Sequence, residues 1–231
     1  EATQEQDRRA CANIAMQRYY QTTTAACKCD NPDMPVFHNS GHVSPAQTEK
    51  LRHFSHLELE SLPTGGWGYD HFPISAKYCE NLPLDTLGMT GKFHTTWGEF
   101  GGYKHPNALR YECAAMIAFG TKCSVGDQLH PNGQLDPSTY ALVGEAYAEV
   151  EKSVPWCVGS TNVADIGLLS AESVGVPRDN AADIGANRIL LETHALYDVL
   201  DPSMDFDRYR ALILPDLIDI DDALKAKLDA Y

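Results

Sequence analysis

The chain has 231 residues, a formal net charge of −14 and 43% hydrophobic residues, enough apolar side chain to bury a core in one large domain or two small ones. An acidic balance without any basic run excludes a phosphate-backbone partner such as nucleic acid, and a neutral substrate fits the charge better. No stretch of about 18 consecutive apolar residues exists to span a membrane, and the N-terminus has neither a basic nor an apolar leader region, so the expected setting is the cytoplasm.

The first expected helix covers Thr3 to Ala26, free of proline, and ends at the breaker Asp30-Asn31-Pro32-Asp33. Strand and helix patterns then alternate. Strands are expected at Met34–Asn39, His56–Ser61, Asp85–Thr90 and Lys122–Gly126, with helices at Ala46–Phe54, Ile74–Asn81, Pro106–Phe119 and from Asp136-Pro137 onward. The last of these has Tyr140, Val143, Tyr147 and Val150 at helical spacing, which predicts one buried face. After Pro155-Trp156-Cys157 a new α/β unit is expected: a strand at Val163–Ser170, a helix at Asn180–Leu200, a strand at Tyr209–Leu214 and a helix from Ile220. The boundary falls near Val154–Asn162, so residues 1–155 and 156–231 are expected to form separate units. Because the chain opens on Glu1 and stops at Tyr231 inside an apparent helix, it reads as a piece of a longer protein.

Strand–helix alternation of this kind requires a parallel sheet, either open or closed as a (β/α) barrel. The polar residues favour the barrel. Every expected strand ends on polar or aromatic residues: His38-Asn39-Ser40-Gly41-His42, Glu58-Leu59-Glu60, Lys92-Phe93-His94 leading to Trp97-Gly98-Glu99, and Asp127-Gln128-Leu129-His130. An open sheet would confine such groups to one crevice.

His56-Leu57-Glu58-Leu59-Glu60 carries the strongest local signal, since alternation sends the leucines towards the helices and the polar side chains to the opposite face. Glu58 is equally well read as a structural carboxylate held by Arg52 or Lys92. Glycoside cleavage needs a pair of carboxyl groups, about 5–5.5 Å apart for retention. Glu60, Glu99 and Asp127 are the candidates, and spacing alone does not rank them. Trp67, Tyr69, Trp97 and Tyr103 sit in glycine-rich loops, where flat rings suit the C–H faces of sugars. Together, His38, His42, Trp67, Lys92, His94, Trp97 and His130 make up the expected sugar-binding set.

No metal or cofactor is expected, because neither His-x-His nor His-Glu-x-x-His spacing occurs; a metal-dependent hydrolase built on the histidines is the last-ranked alternative. Seven irregularly spaced cysteines read as reduced thiols, and Cys27-Lys28-Cys29 lacks the second pair a structural zinc would need.

Three segments, Val36–His42, Gly88–Phe100 and Gly126–Pro131, carry a family likeness. With them the chain resembles bacterial alpha-L-fucosidase-like glycosidases, which are related to the beta-galactosidases that carry a trimerisation domain. The resemblance implies the C-terminal half of a (β/α)8 TIM-type barrel, and Tyr209–Pro215 looks like the opening of an incomplete flavodoxin- or amidotransferase-like domain used for assembly. It further implies a retaining exo-glycosidase, a carbohydrate substrate and a homotrimer for the whole protein. The related beta-galactosidases place a nucleophilic Glu at the end of the seventh strand, where this chain reads Met89-Thr90-Gly91, which favours the fucosidase-like branch. Their acid/base comes from the fourth strand, which would precede Glu1. A non-catalytic carbohydrate-binding or assembly protein is the alternative from another class.

Overall fold

The computed structural model describes residues 4–39, 41–45 and 48–231. The expected helix starts at Thr3 and Ala46, and Ser40, lie outside the described residues. Helix α1 (Glu5–Cys27) forms over the proline-free run. It stands largely in solvent, with Tyr20 as its buried anchor against His38 and Phe54. Residues 34–39 have no regular structure and do not form the expected strand. Val36 spends its backbone groups on Ser55, its N–H donating to Oγ at 2.9 Å and its carbonyl accepting from the Ser55 N–H at 2.8 Å, so it joins no ladder. In place of the next expected helix there is a 3-10 segment, Thr48–His53.

Strands β1 (Leu57–Glu60), β2 (Thr86–Gly91) and β3 (Lys122–Gly126) pair in parallel in that order, with Glu60 opposite Met89 and Gly91 opposite Gly126. Alternation works as the sequence implied: Leu57 and Leu59 are fully buried under helices. Helices α2 (His71–Cys79), α3 (Pro106–Ala118) and α4 (Pro137–Cys157) alternate with these strands. Proline opens both α3 and α4, whose caps are His105 and Asp136, each accepting from the N–H two residues on. Helix α4 runs through Pro155 to Cys157, into the first residues of the expected linker, and residues 158–162 follow it without helix or strand. Of the helix's expected face, Val150 is buried and Val143 and Tyr147 pack against the same cluster, while Tyr140 is exposed and Thr139 and Ala146 are buried beside them.

A second parallel sheet has the order β5-β4-β6, from β4 (Ile166–Leu169), β5 (Tyr197–Leu200) and β6 (Ala211–Ile213). The expected helix over Asn180–Leu200 is really two elements, α5 (Ala181–Glu192) and β5. The break comes at His194, in the left-handed region at φ 58°, and Asp198 and its neighbours then enter the sheet fully buried. Helix α6 (Asp222–Ala230) closes the chain, capped by Asp221.

The two sheets share α2. One apolar cluster joins Leu57, Leu59, Phe72 and Tyr78 to Leu168, Leu190, Tyr197 and Val199. Polar ties cross the same seam: Tyr78 donates to Asp201 at 2.8 Å, and Arg188 grips Asp70 through two nitrogens at 2.7 and 2.6 Å. No helix among the described residues is long and apolar enough to cross a membrane.

Candidate active site

The C-terminal ends of β1, β2 and β3 lie side by side, as their parallel register requires. Glu60 closes β1 and is only 9% exposed. Its Oε1 accepts from Trp97 Nε1 at 2.5 Å, a short charge-assisted bond. Glu58 stands two residues back on the same face, and its carboxyl is raised above the usual range, first by burial and then by the charge of Glu60.

Trp97 reaches Glu60 because the loop after β2 is tied down at both ends. Lys92 is buried; its Nζ donates to the Phe100 carbonyl at 2.8 Å and lies 4.9 Å from the Phe93 and Tyr103 rings. The Lys104 N–H donates to the Lys92 carbonyl at 2.8 Å, closing the loop. Over β3, the Trp97 ring occupies the space that a side chain at Gly126 would need, a Cβ there falling 2.0 Å from the ring. Glycine at 126 is therefore a condition for the Trp97–Glu60 contact. On the other side of Glu60, a Cβ at Gly41 would lie 3.2 Å from the Trp67 ring and 3.7 Å from the Glu60 Cβ.

The other expected site residues divide. Glu99 is in the same loop but folds back, accepting from the Thr95 N–H at 2.7 Å and its hydroxyl at 2.8 Å, bonds that hold its carboxyl below the usual range. Asp127 follows β3 and accepts from the N–H of Gln128, and His94 is exposed in the loop after β2. His130 packs its ring 5.6 Å from Phe100 and lies 3.9 Å from Asp136. His38 is away from this group, buried between Tyr20 and Phe54 and bonded to Thr24 at 3.0 Å. His42 pairs with Glu172 of the second sheet unit at 3.0 Å. Among the described residues, no group of three or more His, Cys, Asp or Glu side chains could hold a metal ion.

The sequence reading missed a buried network beneath the loops. Glu112 on α3 receives Lys104 Nζ at 2.6 Å, the Thr90 hydroxyl at 2.7 Å and the Tyr69 hydroxyl at 3.0 Å. Thr90 thus turns to the helix layer, away from Glu60. A signal was present, since Leu109, Cys113 and Met116 form the buried stripe of α3 and Glu112 sits within it.

His71, at the first turn of α2, is 7% exposed, and its Nδ1 meets Ser61 Oγ at 3.2 Å. Burial first, then the neighbouring His42 and Arg178, lower its pKa to about 4. An unfolded histidine titrates near 6.5, so between these values the unfolded chain binds a proton that the folded chain refuses. Stability should therefore fall as pH drops from about 6.5 to about 4, by roughly 3 kcal/mol in all. Urea unfolding at neutral and acid pH checks this: His71→Gln should lose most of that acid sensitivity, and an unaltered pH slope would refute the assignment.

No family model matches the sequence, and no curated protein does either. Among solved structures, alpha-L-fucosidase isoenzyme 2 from Paenibacillus thiaminolyticus matches the chain over 100% of its length at 49% identity and a TM-score of 0.95. The chain is alpha-L-fucosidase-like. It spans 36% of that enzyme. A beta-galactosidase from the psychrophilic Marinomonas ef1 matches 80% of the chain at 13% identity and a TM-score of 0.53, again over 36% of its own length, and shares the fold.

Proposed function

We propose that the chain forms part of a retaining, exo-acting alpha-L-fucosidase in which Glu60 supplies one of the two working carboxyl groups. The match over the whole of this chain at 49% identity carries this reading. Support from the site comes from the buried Glu60 carboxylate, fixed by Trp97 at the end of a strand where a substrate can be met. Retention requires a second carboxyl about 5–5.5 Å away, for which Glu99 and Asp127 are the candidates in this chain. In this reading β1 to β3 belong to the C-terminal half of a TIM-type barrel. Residues 156–231 open an amidotransferase-like module through which the whole protein assembles as a trimer. The setting is cytoplasmic, in keeping with seven free thiols.

In the mechanism, Trp97 does two things. Its indole N–H keeps the Glu60 oxygen aimed, and its ring, 40% exposed, offers an apolar surface to the sugar. Catalysis then depends on the carboxylate being held before substrate arrives.

Hydrolysis of a nitrophenyl glycoside panel by the full-length gene product, beside the 231-residue chain, tests the activity. Turnover of the alpha-L-fucoside and not the beta-D-galactoside is expected from the full-length product. Silence on every substrate from a folded full-length product would leave the binding or assembly role in its place.

A further inference from the structure

Where the loop after β1 and the start of α2 face the segment that follows β4, a cleft of about 340 Å³ remains between the two sheet units. Small-molecule sites begin at about 300 Å³. Its walls are mixed: Trp67, Ile74 and Ile184 provide apolar surface, while His71, Glu172 and Arg178 provide polar groups.

One of these groups is unsatisfied. The Nε2 atom of His71 is buried and has no hydrogen-bond partner among the described residues, although Nδ1 is engaged by Ser61. Buried polar atoms are rarely left in that state, and a ligand hydroxyl is one way to complete them.

The charges of the cleft select against ions. Glu172 is taken by His42, Asp70 by Arg188, and Asp183 by the Ser170 hydroxyl, the Ala171 N–H and the Asn180 amide. A cation therefore finds its carboxylates already occupied. An anion would face those four carboxylates, counting Asp179, with Arg178 as the cation lining the cleft, and the N-terminus of α5 is already capped by Asn180 and carries Asp183 in its first turn. Arg178 itself lies over the Trp67 ring at 5.6 Å and bonds Asp179 at 3.3 Å, forming a polar rim above an aromatic wall.

A neutral molecule with an apolar face and several hydroxyls meets all of these conditions. We infer that this cleft is a second carbohydrate site, which takes a neutral pyranoside with its C–H face towards Trp67, Ile74 and Ile184 and its hydroxyls towards His71, Arg178 and Asp179. Trp67 lines it and Glu60 does not, although a Cβ at Gly41 would meet both side chains.

Calorimetric titration of the 231-residue chain with methyl glycosides of galactose, glucose, N-acetylglucosamine and fucose tests the inference, with inorganic phosphate as the charged comparison. Saturable binding of at least one glycoside, and none of phosphate, is expected. Arg178→Ala should weaken that binding about tenfold, the effect of losing one charged hydrogen bond. Ile184→Trp, which fills the cleft, should abolish it, and Glu60→Gln should leave it unchanged. Unfolding midpoints of the variants confirm that each is folded. No saturable binding of any glycoside, tighter binding of phosphate, or loss in Glu60→Gln with retention in the cleft variants would overturn the inference. Turnover of a nitrophenyl fucoside is read separately, so a failed activity assignment does not alter this result.

Discussion

Replacing Glu60 by glutamine should lower kcat/KM on an alpha-L-fucoside by about 10²–10⁴-fold, the usual scale for loss of a group that transfers protons in the transition state. Glutamine keeps the shape and an amide oxygen for the Trp97 N–H, so the loop stays in place and only charge and proton transfer are lost. Trp97→Phe makes the reverse change. It removes the indole donor but keeps a ring over Gly126, and the expected loss is smaller, about tenfold, as for one positioned hydrogen bond. Steady-state kinetics on the full-length product separates the two. Unchanged turnover in Glu60→Gln would remove this carboxylate from the mechanism, whatever happens at Trp97.

Glu112→Ala should destabilise the fold by about 3–5 kcal/mol, because it leaves a buried cation without its counter-charge. Lys104 is 2% exposed, and besides Glu112 its ammonium meets the Thr90 hydroxyl. The double change Lys104→Met with Glu112→Leu should recover most of the loss, since exchanging a whole buried pair for apolar side chains is often close to neutral. Urea unfolding of the two variants and the parent gives both numbers. A loss under about 1 kcal/mol in Glu112→Ala would show that water reaches Lys104 and that the pair is not dry.

These two carboxylates differ in how visible they were in the sequence. Glu60 stood out because strand alternation leaves it opposite two leucines, and the burial of Leu57 and Leu59 follows that pattern. Its partner Trp97 was recognisable as a loop aromatic, but a contact across 37 residues depends on the loop closure by Lys92 and on the vacancy at Gly126. Glu112 interrupts an apolar helical stripe, a signal present in the sequence and passed over. Strand β5 was hidden for another reason. The turn before it uses Thr193 and His194, with neither glycine nor proline to mark a break, and buried Asp198 disguises its apolar pattern. Residues 34–39 show the opposite error: a strand was expected there, but pairing is a long-range property, and here Ser55 took the backbone bonds of Val36.

Helix α2 has nine residues, too few to persist by itself in water, where isolated helices of fewer than about 12–15 residues are marginal. It exists because Phe72, Ala76 and Tyr78 are held in a cluster that draws on both sheets. Loss of either sheet's side of that cluster should therefore uncover the other, and a single unfolding transition is the expected result. Cutting the chain between β3 and β4 should expose the apolar face that each half presents around α2, while the clusters around Leu109 and around Phe206 stay within their own halves.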